Sequence, residues 1–72
     1  MSVLMWEARA ADGRLDELIA YAKAHVAPAA QVYRAAGGPP RVVVIDPSGL
    51  GISDVPDELL ARPAHQWTFE PA

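Results

Sequence analysis

The sequence predicts a single α+β domain with a ferredoxin-like βαββαβ sandwich, in which two helices cover one face of a four-stranded antiparallel sheet. Three observations lead to this fold class. The chain has 72 residues, of which 51% are hydrophobic, and this balance is typical of one small globular domain. Four segments alternate as strands do, and helical spacing occurs between the first and second strand and between the third and fourth. The predicted domain spans residues 1–72.

The first strand is predicted over residues 2–9, where apolar side chains occur on both sides of an alternating pattern. One side carries Leu4, Trp6 and Ala8. The other side begins with Val3 and Met5 and continues into charged residues. Because both sides are apolar, the pattern predicts a strand without deciding which side faces the helices.

The segment from about residue 13 to residue 27 is predicted to form the first helix. Asp12 is expected to cap its amino end, because a carboxylate can accept hydrogen bonds from the first free amides. Pro28 is expected to stop it, since proline has no amide hydrogen to donate. Apolar residues recur at three- and four-residue steps and form one stripe: Leu15, Leu18, Ile19, Ala22 and Val26.

An antiparallel hairpin is predicted next, from strands over residues 31–35 and 41–46. The second of these strands is rich in β-branched residues, which favour sheets. The sequence Gly37-Gly38-Pro39-Pro40 between the strands is typical of a turn. Asp46-Pro47-Ser48-Gly49 is also a turn sequence, and we expect it to end the second strand.

A short second helix and a last strand complete the predicted order. The helix is expected to follow a cap at Ser53 or Asp54 and to stop at Pro63. The last strand is predicted over residues 65–70. Its apolar side carries His65, Trp67 and Phe69.

The first and third strands are central in this fold class, and both are apolar on both faces. Two helices cover only one face of such a sheet. A second copy is the expected cover for the open face, since symmetric dimers are the commonest oligomers. A domain of this size buries only about 60% of its unfolded surface, so self-association adds burial that the fold lacks. The sequence therefore predicts a homodimer in which two sheets face each other.

Charge and composition exclude several classes of partner. The formal net charge is −3, so the basic footprint of a nucleic-acid-binding protein is missing. We expect a cytoplasmic protein without a membrane partner, because neither a bilayer-spanning apolar run nor a signal-peptide pattern is present. There is no cysteine, and the two histidines lack metal-ligand spacing, so neither a metal nor another cofactor is predicted.

The opening VLMWEARAADGRLDELIAYAKAH resembles the first strand and helix of dimeric α+β barrel proteins related to antibiotic-biosynthesis monooxygenases. In that family a strand and a Gly- or Pro-containing turn lead into an acidic, leucine-containing helix start. The segments VYRAAGGPPRVVVIDPSG and HQWTFEPA are similar in placement to later strands of the family. The resemblance covers nearly the whole chain and implies a homodimer with a small-molecule pocket between sheet and helices.

The resemblance further implies cofactor-free oxygenation of an aromatic substrate, for which family members often employ an Asn, Trp and His set. This chain contains no Asn. Its predicted second helix, DVPDELLARP, carries neither Trp nor His. The resemblance therefore assigns no catalytic residue to this sequence.

Three residues are candidate ligand contacts: Trp6, His65 and Trp67. Trp6 and Trp67 lie on strands that should be neighbours, so we expect them to approach each other and to stack on a flat apolar molecule. His65 shares a strand face with Trp67 and is the candidate for proton transfer. The alternative interpretation is that the tryptophans supply core or dimer-interface area and that His65 is structural.

Two function hypotheses lead, and a third is a regulatory ligand-binding domain that resembles the small βαββαβ amino-acid sensors, for which the sequence has no recognisable ligand loop. In the first, the chain is a small homodimer that binds a hydrophobic or aromatic molecule, with oxygenation as the reaction if it is an enzyme. In the second, it is a non-catalytic module whose open sheet face dimerises or docks a partner. Arg9, Arg34 and Arg41 are expected to gather near one sheet edge, where they would pair an anionic ligand or protect the edge.

Overall fold

A computed structural model describes residues 2–72, which form a four-stranded antiparallel sheet and one α-helix. The strands are β1 (Val3–Arg9), β2 (Gln31–Arg34), β3 (Arg41–Asp46) and β4 (His65–Phe69), and the helix is α1 (Leu15–His25). The strand order in the sheet is β2-β3-β1-β4, so β1 and β3 are central as predicted. The predicted α+β class and antiparallel sheet are confirmed.

The core lies between α1 and one face of the sheet. Its buried apolar side chains, none more than 6% exposed, are those of Leu4, Trp6, Ala8, Ala10, Leu18, Ala22, Val42, Val44 and Leu59. The predicted grouping of Leu4, Trp6 and Ala8 on one side of β1 is confirmed, and this is the side that faces the helix. Burial of these side chains is the main stabilising term for a domain without disulfides.

The amino end of α1 differs from the prediction, because the helix begins at Leu15 and Asp12 does not cap it. Gly13 has a φ of 73°, a left-handed conformation that a right-handed helix does not contain. Arg14 holds the N-cap position, and no side chain bonds to the free amides there.

The carboxyl end of α1 also comes earlier than predicted, at His25. Val26 is extended, with φ −82° and ψ 158°. Ala27 precedes Pro28, and the position before a proline disfavours helical geometry. At 11 residues α1 is short, and no helix within residues 2–72 is long and apolar enough to cross a membrane.

The predicted second helix is wrong, since the chain forms only a 3-10 turn over Asp57–Leu59. Leu60 is already extended and pairs with the end of β1. The amide of Ala11 donates to the carbonyl of Leu59, and the amide of Ala61 donates to the carbonyl of Arg9, both at 2.9 Å. These bonds occupy backbone groups that a longer helix would have used. In the part of the chain that the structure describes, a single α-helix therefore covers the sheet instead of the expected two.

The strand boundaries agree with the prediction to within one residue. β3 is found as predicted, whereas β1 starts one residue later and β2 and β4 each end one residue earlier. β2 and β3 form the predicted antiparallel hairpin. The alternating pattern therefore located all four strands.

Candidate interaction surface on the open sheet face

The sheet face that points away from α1 is the candidate functional site, and we call it the open face. Directly opposed residues on antiparallel strands place their side chains on the same face, so the register defines its members. They are Val3, Met5, Glu7 and Arg9 of β1, Gln31 and Tyr33 of β2, Arg41, Val43 and Ile45 of β3, and His65, Trp67 and Phe69 of β4.

One half of the open face is apolar. Met5 lies directly opposite Ile45 on one side and Trp67 on the other, and Val3 lies opposite Phe69. Trp67 is 44% exposed and Phe69 is 54% exposed. None of these five residues belongs to the core cluster or to the side chains packed against it. These large apolar side chains therefore form a contiguous patch outside the core. A patch of this kind commonly marks an interaction surface.

The other half of the open face is built around the carboxylate of Glu7, which is only 8% exposed. Both of its oxygens lie 3.4 Å from Nη2 of Arg62, and one lies 3.7 Å from Nη1 of Arg41. Burying a carboxylate is costly unless cations compensate it, and these two guanidinium groups do so. Arg9 lies directly opposite Arg41, and His65 lies directly opposite Glu7.

The structure brings together two of the three predicted ligand contacts. The rings of His65 and Trp67 have centroids 5.8 Å apart and planes inclined by 35°. Trp6 lies apart from them, because it is opposite Gln66 in the register and its side chain is 2% exposed in the core. β1 and β4 are neighbours as expected, yet their tryptophans are on opposite sides of the sheet.

The expected gathering of arginines at one sheet edge is wrong. Arg9 and Arg41 are opposed on the two central strands, and Arg34 lies opposite Val42 on the helix side of the sheet. The pairing of Glu7 with Arg62 was not predicted from the sequence. A signal for Glu7 was present, since a charge that continues an apolar strand face needs a partner when buried. Arg62 carried no such signal, because it precedes β4 in a segment without periodicity.

Asp46, at the end of β3, accepts hydrogen bonds from the turn that follows it. Its side chain is fully buried and accepts hydrogen bonds from the Ser48 amide (2.8 Å), the Ser48 hydroxyl (2.5 Å) and the Gly51 amide (2.8 Å). Burial raises the pKa of this carboxyl, but the hydrogen bonds from Ser48, Gly51 and Gly49 outweigh it and hold the pKa below its ordinary value. The predicted turn is confirmed, and Asp46 stabilises it.

His25 and Tyr21 form a second polar contact, on the exposed side of α1. Their rings are stacked, with centroids 3.9 Å apart and planes inclined by 15°, and Nδ1 of His25 lies 2.8 Å from the Tyr21 carbonyl. The Tyr21 hydroxyl donates toward the carbonyls of Ser53 and Asp54, at 3.1 and 2.9 Å. This arrangement ties a loop to the helix, and His25 is therefore structural.

A solvent-open depression of about 380 Å³ lies between α1 and β2 and is lined by Ile19, Lys23, Val32, Tyr33 and Arg34. Neither Trp6 nor the His65–Trp67 pair lines it. Trp6 and Leu18 are among the side chains that fill the space between helix and sheet. No three His, Asp or Glu side chains within residues 2–72 are placed to hold a metal ion together.

Comparison with known protein families, curated proteins and solved structures finds no match to this chain. The resemblance to antibiotic-biosynthesis monooxygenases therefore stays a prediction, and the geometry of the open face carries the functional argument.

Proposed function

We propose that this chain is a non-catalytic self-association module, in which two copies pack through their open faces. The observation that carries the proposal is the uncovered apolar half of that face, from Val3 and Met5 across to Trp67 and Phe69. A two-fold axis brings the same patch onto itself, so one surface supplies both sides of the contact. Self-association would give this small domain a second buried layer.

The size of the open face limits the affinity of this dimer. Four strands at ordinary spacing and rise make a face about 20 Å wide and about 20 Å long, which is about 400 Å² in projection. Side chains that project from the sheet add to this area. Even so, the total surface buried by two such faces stays below about 1,200 Å², at the lower end of protein interfaces. We expect a reversible dimer with a dissociation constant in the micromolar range.

Sedimentation velocity from low micromolar to submillimolar concentration tests the proposal. The wild-type chain should shift from monomer to dimer over this range. Ile45→Lys places a charge within the apolar half, directly beside Met5, so this variant should stay monomeric. Leu50→Lys is the matched control, because Leu50 is 80% exposed in the turn after β3 and lies outside the open face. A wild-type monomer at every concentration, or equal effects of both variants, would contradict the proposal.

A second candidate function is binding of a small hydrophobic or aromatic molecule on the same face. The close pairing of His65 with the half-exposed Trp67 favours it, because two tilted rings offer a surface for a flat ligand. Native mass spectrometry of freshly purified protein distinguishes the two candidates. A bare dimer supports the module, and an added small mass supports the ligand. Cofactor-free oxygenation, with His65 moving the proton, stays the prediction that the resemblance implies.

We also infer that the fold is a reduced ferredoxin-like sandwich, in which the 3-10 turn at Asp57–Leu59 takes the place of the second helix. The central position of β1 and β3 supports this inference. With one helix instead of two, a single copy of the domain buries less apolar surface, and this also supports self-association.

A further inference from the structure

We infer that the charged half of the open face binds the carboxylate of a small organic acid, whose flat apolar body lies on Met5 and Trp67. The inference deepens the second candidate function, because it names the chemistry of the ligand on the same face.

The first support is a local excess of positive charge. Arg9 and Arg41 lie at one end of the open face and Arg62 contacts Glu7 there, and Glu7 is the one acidic residue among the members of that face. Arg9 and Arg41 are directly opposed, and like charges in opposed positions destabilise a sheet. The chain as a whole has a net charge of −3, so this cluster is the reverse of the protein's average. A bound anion would neutralise the excess.

The second support is the unused hydrogen-bonding capacity of the guanidinium groups. Glu7 approaches Arg62 at 3.4 Å and Arg41 at 3.7 Å, whereas strong charge-assisted bonds measure about 2.7–2.9 Å. The Nε of Arg41 is buried and has no hydrogen-bond partner among the described residues. A guanidinium has five donors in a planar fork. Glu7 thus positions the two arginines, whose side chains are 43% and 46% exposed and leave terminal donors that a further carboxylate can reach.

The third support is the spacing of the charged and apolar halves. Glu7 is opposite His65, and Met5, two residues earlier on β1, is opposite Trp67. At ordinary strand rise these two rows are about 7 Å apart, which matches the distance from a carboxylate to the far ring of a bicyclic aromatic acid. The uncovered Trp67 ring, 44% exposed, supplies the flat apolar surface.

Titration with 2-naphthoate, followed by two-dimensional NMR on the full chain, tests the inference. The indole N–H signal of Trp67, assigned with Trp67→Phe, should shift and saturate, and the Nε–H signal of Arg41 should shift with it. The neutral analogue 2-naphthamide has the same rings and should bind at least about tenfold more weakly, since it lacks the charge that the arginines recognise.

Two variants locate the carboxylate. Arg62→Gln should weaken 2-naphthoate binding about tenfold and leave 2-naphthamide binding unchanged. Arg34→Gln is the matched control on the helix side of the sheet and should leave both unchanged. Equal affinity for the acid and the amide, an equal loss in both variants, or no binding of the acid would overturn the inference.

The outcome is separable from that of the proposed self-association. All residues of the anion site belong to one copy of the chain, so the monomer can bind the acid, and binding of 2-naphthoate supports this inference whatever the sedimentation result. A dimer that shows none of the expected shifts supports the module and overturns this inference.

Discussion

Asp46 is fully buried, yet its carboxylate is compensated entirely by neighbours within five residues along the chain. Three donors from Ser48 and Gly51 surround it. Gly51 itself has a φ of 69°, and a Cβ there would lie 3.1 Å from the side-chain oxygen of Gln66. The turn is therefore specified by a carboxylate at its start and by a glycine where the loop approaches β4.

Asp46→Asn should destabilise the protein by about 1–3 kcal/mol, because the Asn amide nitrogen cannot accept the hydrogen bond from Gly51. Unfolding by urea at about pH 7 measures the change. Asp12→Asn is the control, since Asp12 is exposed, and its effect should stay within about 0.5 kcal/mol.

The same variant carries a pH signature. The folded pKa of Asp46 lies below its ordinary value of 3.8, so its ionised form stabilises the fold fully at any pH above that value. The contribution is lost as the pH falls below 3.8 and through the folded pKa. The stability difference between wild type and Asp46→Asn should therefore shrink in acid. A difference that stays constant down to about pH 2 would contradict this assignment.

At the scale of elements, α1 is joined to the rest of the fold by the Tyr21 hydroxyl as well as by its apolar stripe. The hydroxyl bonds to the loop at Ser53 and Asp54, and Asp54 is the one non-glycine residue of the described chain with a positive φ, at 60°. A hydrogen bond to that residue helps to hold the loop in a conformation that side chains disfavour.

Tyr21→Phe should cost about 0.5–1.5 kcal/mol and speed amide hydrogen exchange in residues 52–56, because the loop loses its tie to the helix. Tyr33→Phe is the matched control. Among residues 2–72 its hydroxyl donates only to the side chain of Gln31, at 2.7 Å on the exposed side of β2, so we expect no change in exchange at the loop. Unchanged exchange in both variants would show that the loop is held by its apolar contacts instead.

The elements also show how far a sequence determines this fold. Period-two alternation located every strand, because it reflects a local property of the chain. The second helix was predicted wrongly because Leu60 and Ala61 pair with the end of β1. This pairing is non-local, and no sequence pattern within residues 53–63 indicates it. Likewise, the two apolar sides of β1 were recognisable, but only tertiary packing decided that Trp6 faces α1.

The local part of the candidate site was predictable from the sequence, and the non-local part was not. His65 and Trp67 are two residues apart on one strand, so their shared face followed from alternation alone. The pairing of Glu7 with Arg62 spans 55 residues, and it depends on the register between β1 and β4. A single sequence contains no local signal for such a register.

At the scale of the whole molecule, stability and assembly should be linked. If the open faces associate, the folded dimer is favoured by mass action, and the midpoint of thermal unfolding rises with protein concentration. We expect this rise for the wild type and for Leu50→Lys, and its absence for Ile45→Lys. Differential scanning calorimetry at several concentrations measures it. A wild-type midpoint independent of concentration would contradict the link.

β4 has a further consequence for the molecule as a whole. It is an edge strand, all five of its residues are exposed, and it carries neither lysine nor proline within its length. Such a strand offers unpaired backbone groups to any other chain and is a template for fibril growth. Pro63 precedes β4 by two residues and Pro71 follows it by two. Because proline cannot donate to a ladder, these two residues limit any edge-to-edge pairing to the short segment between them.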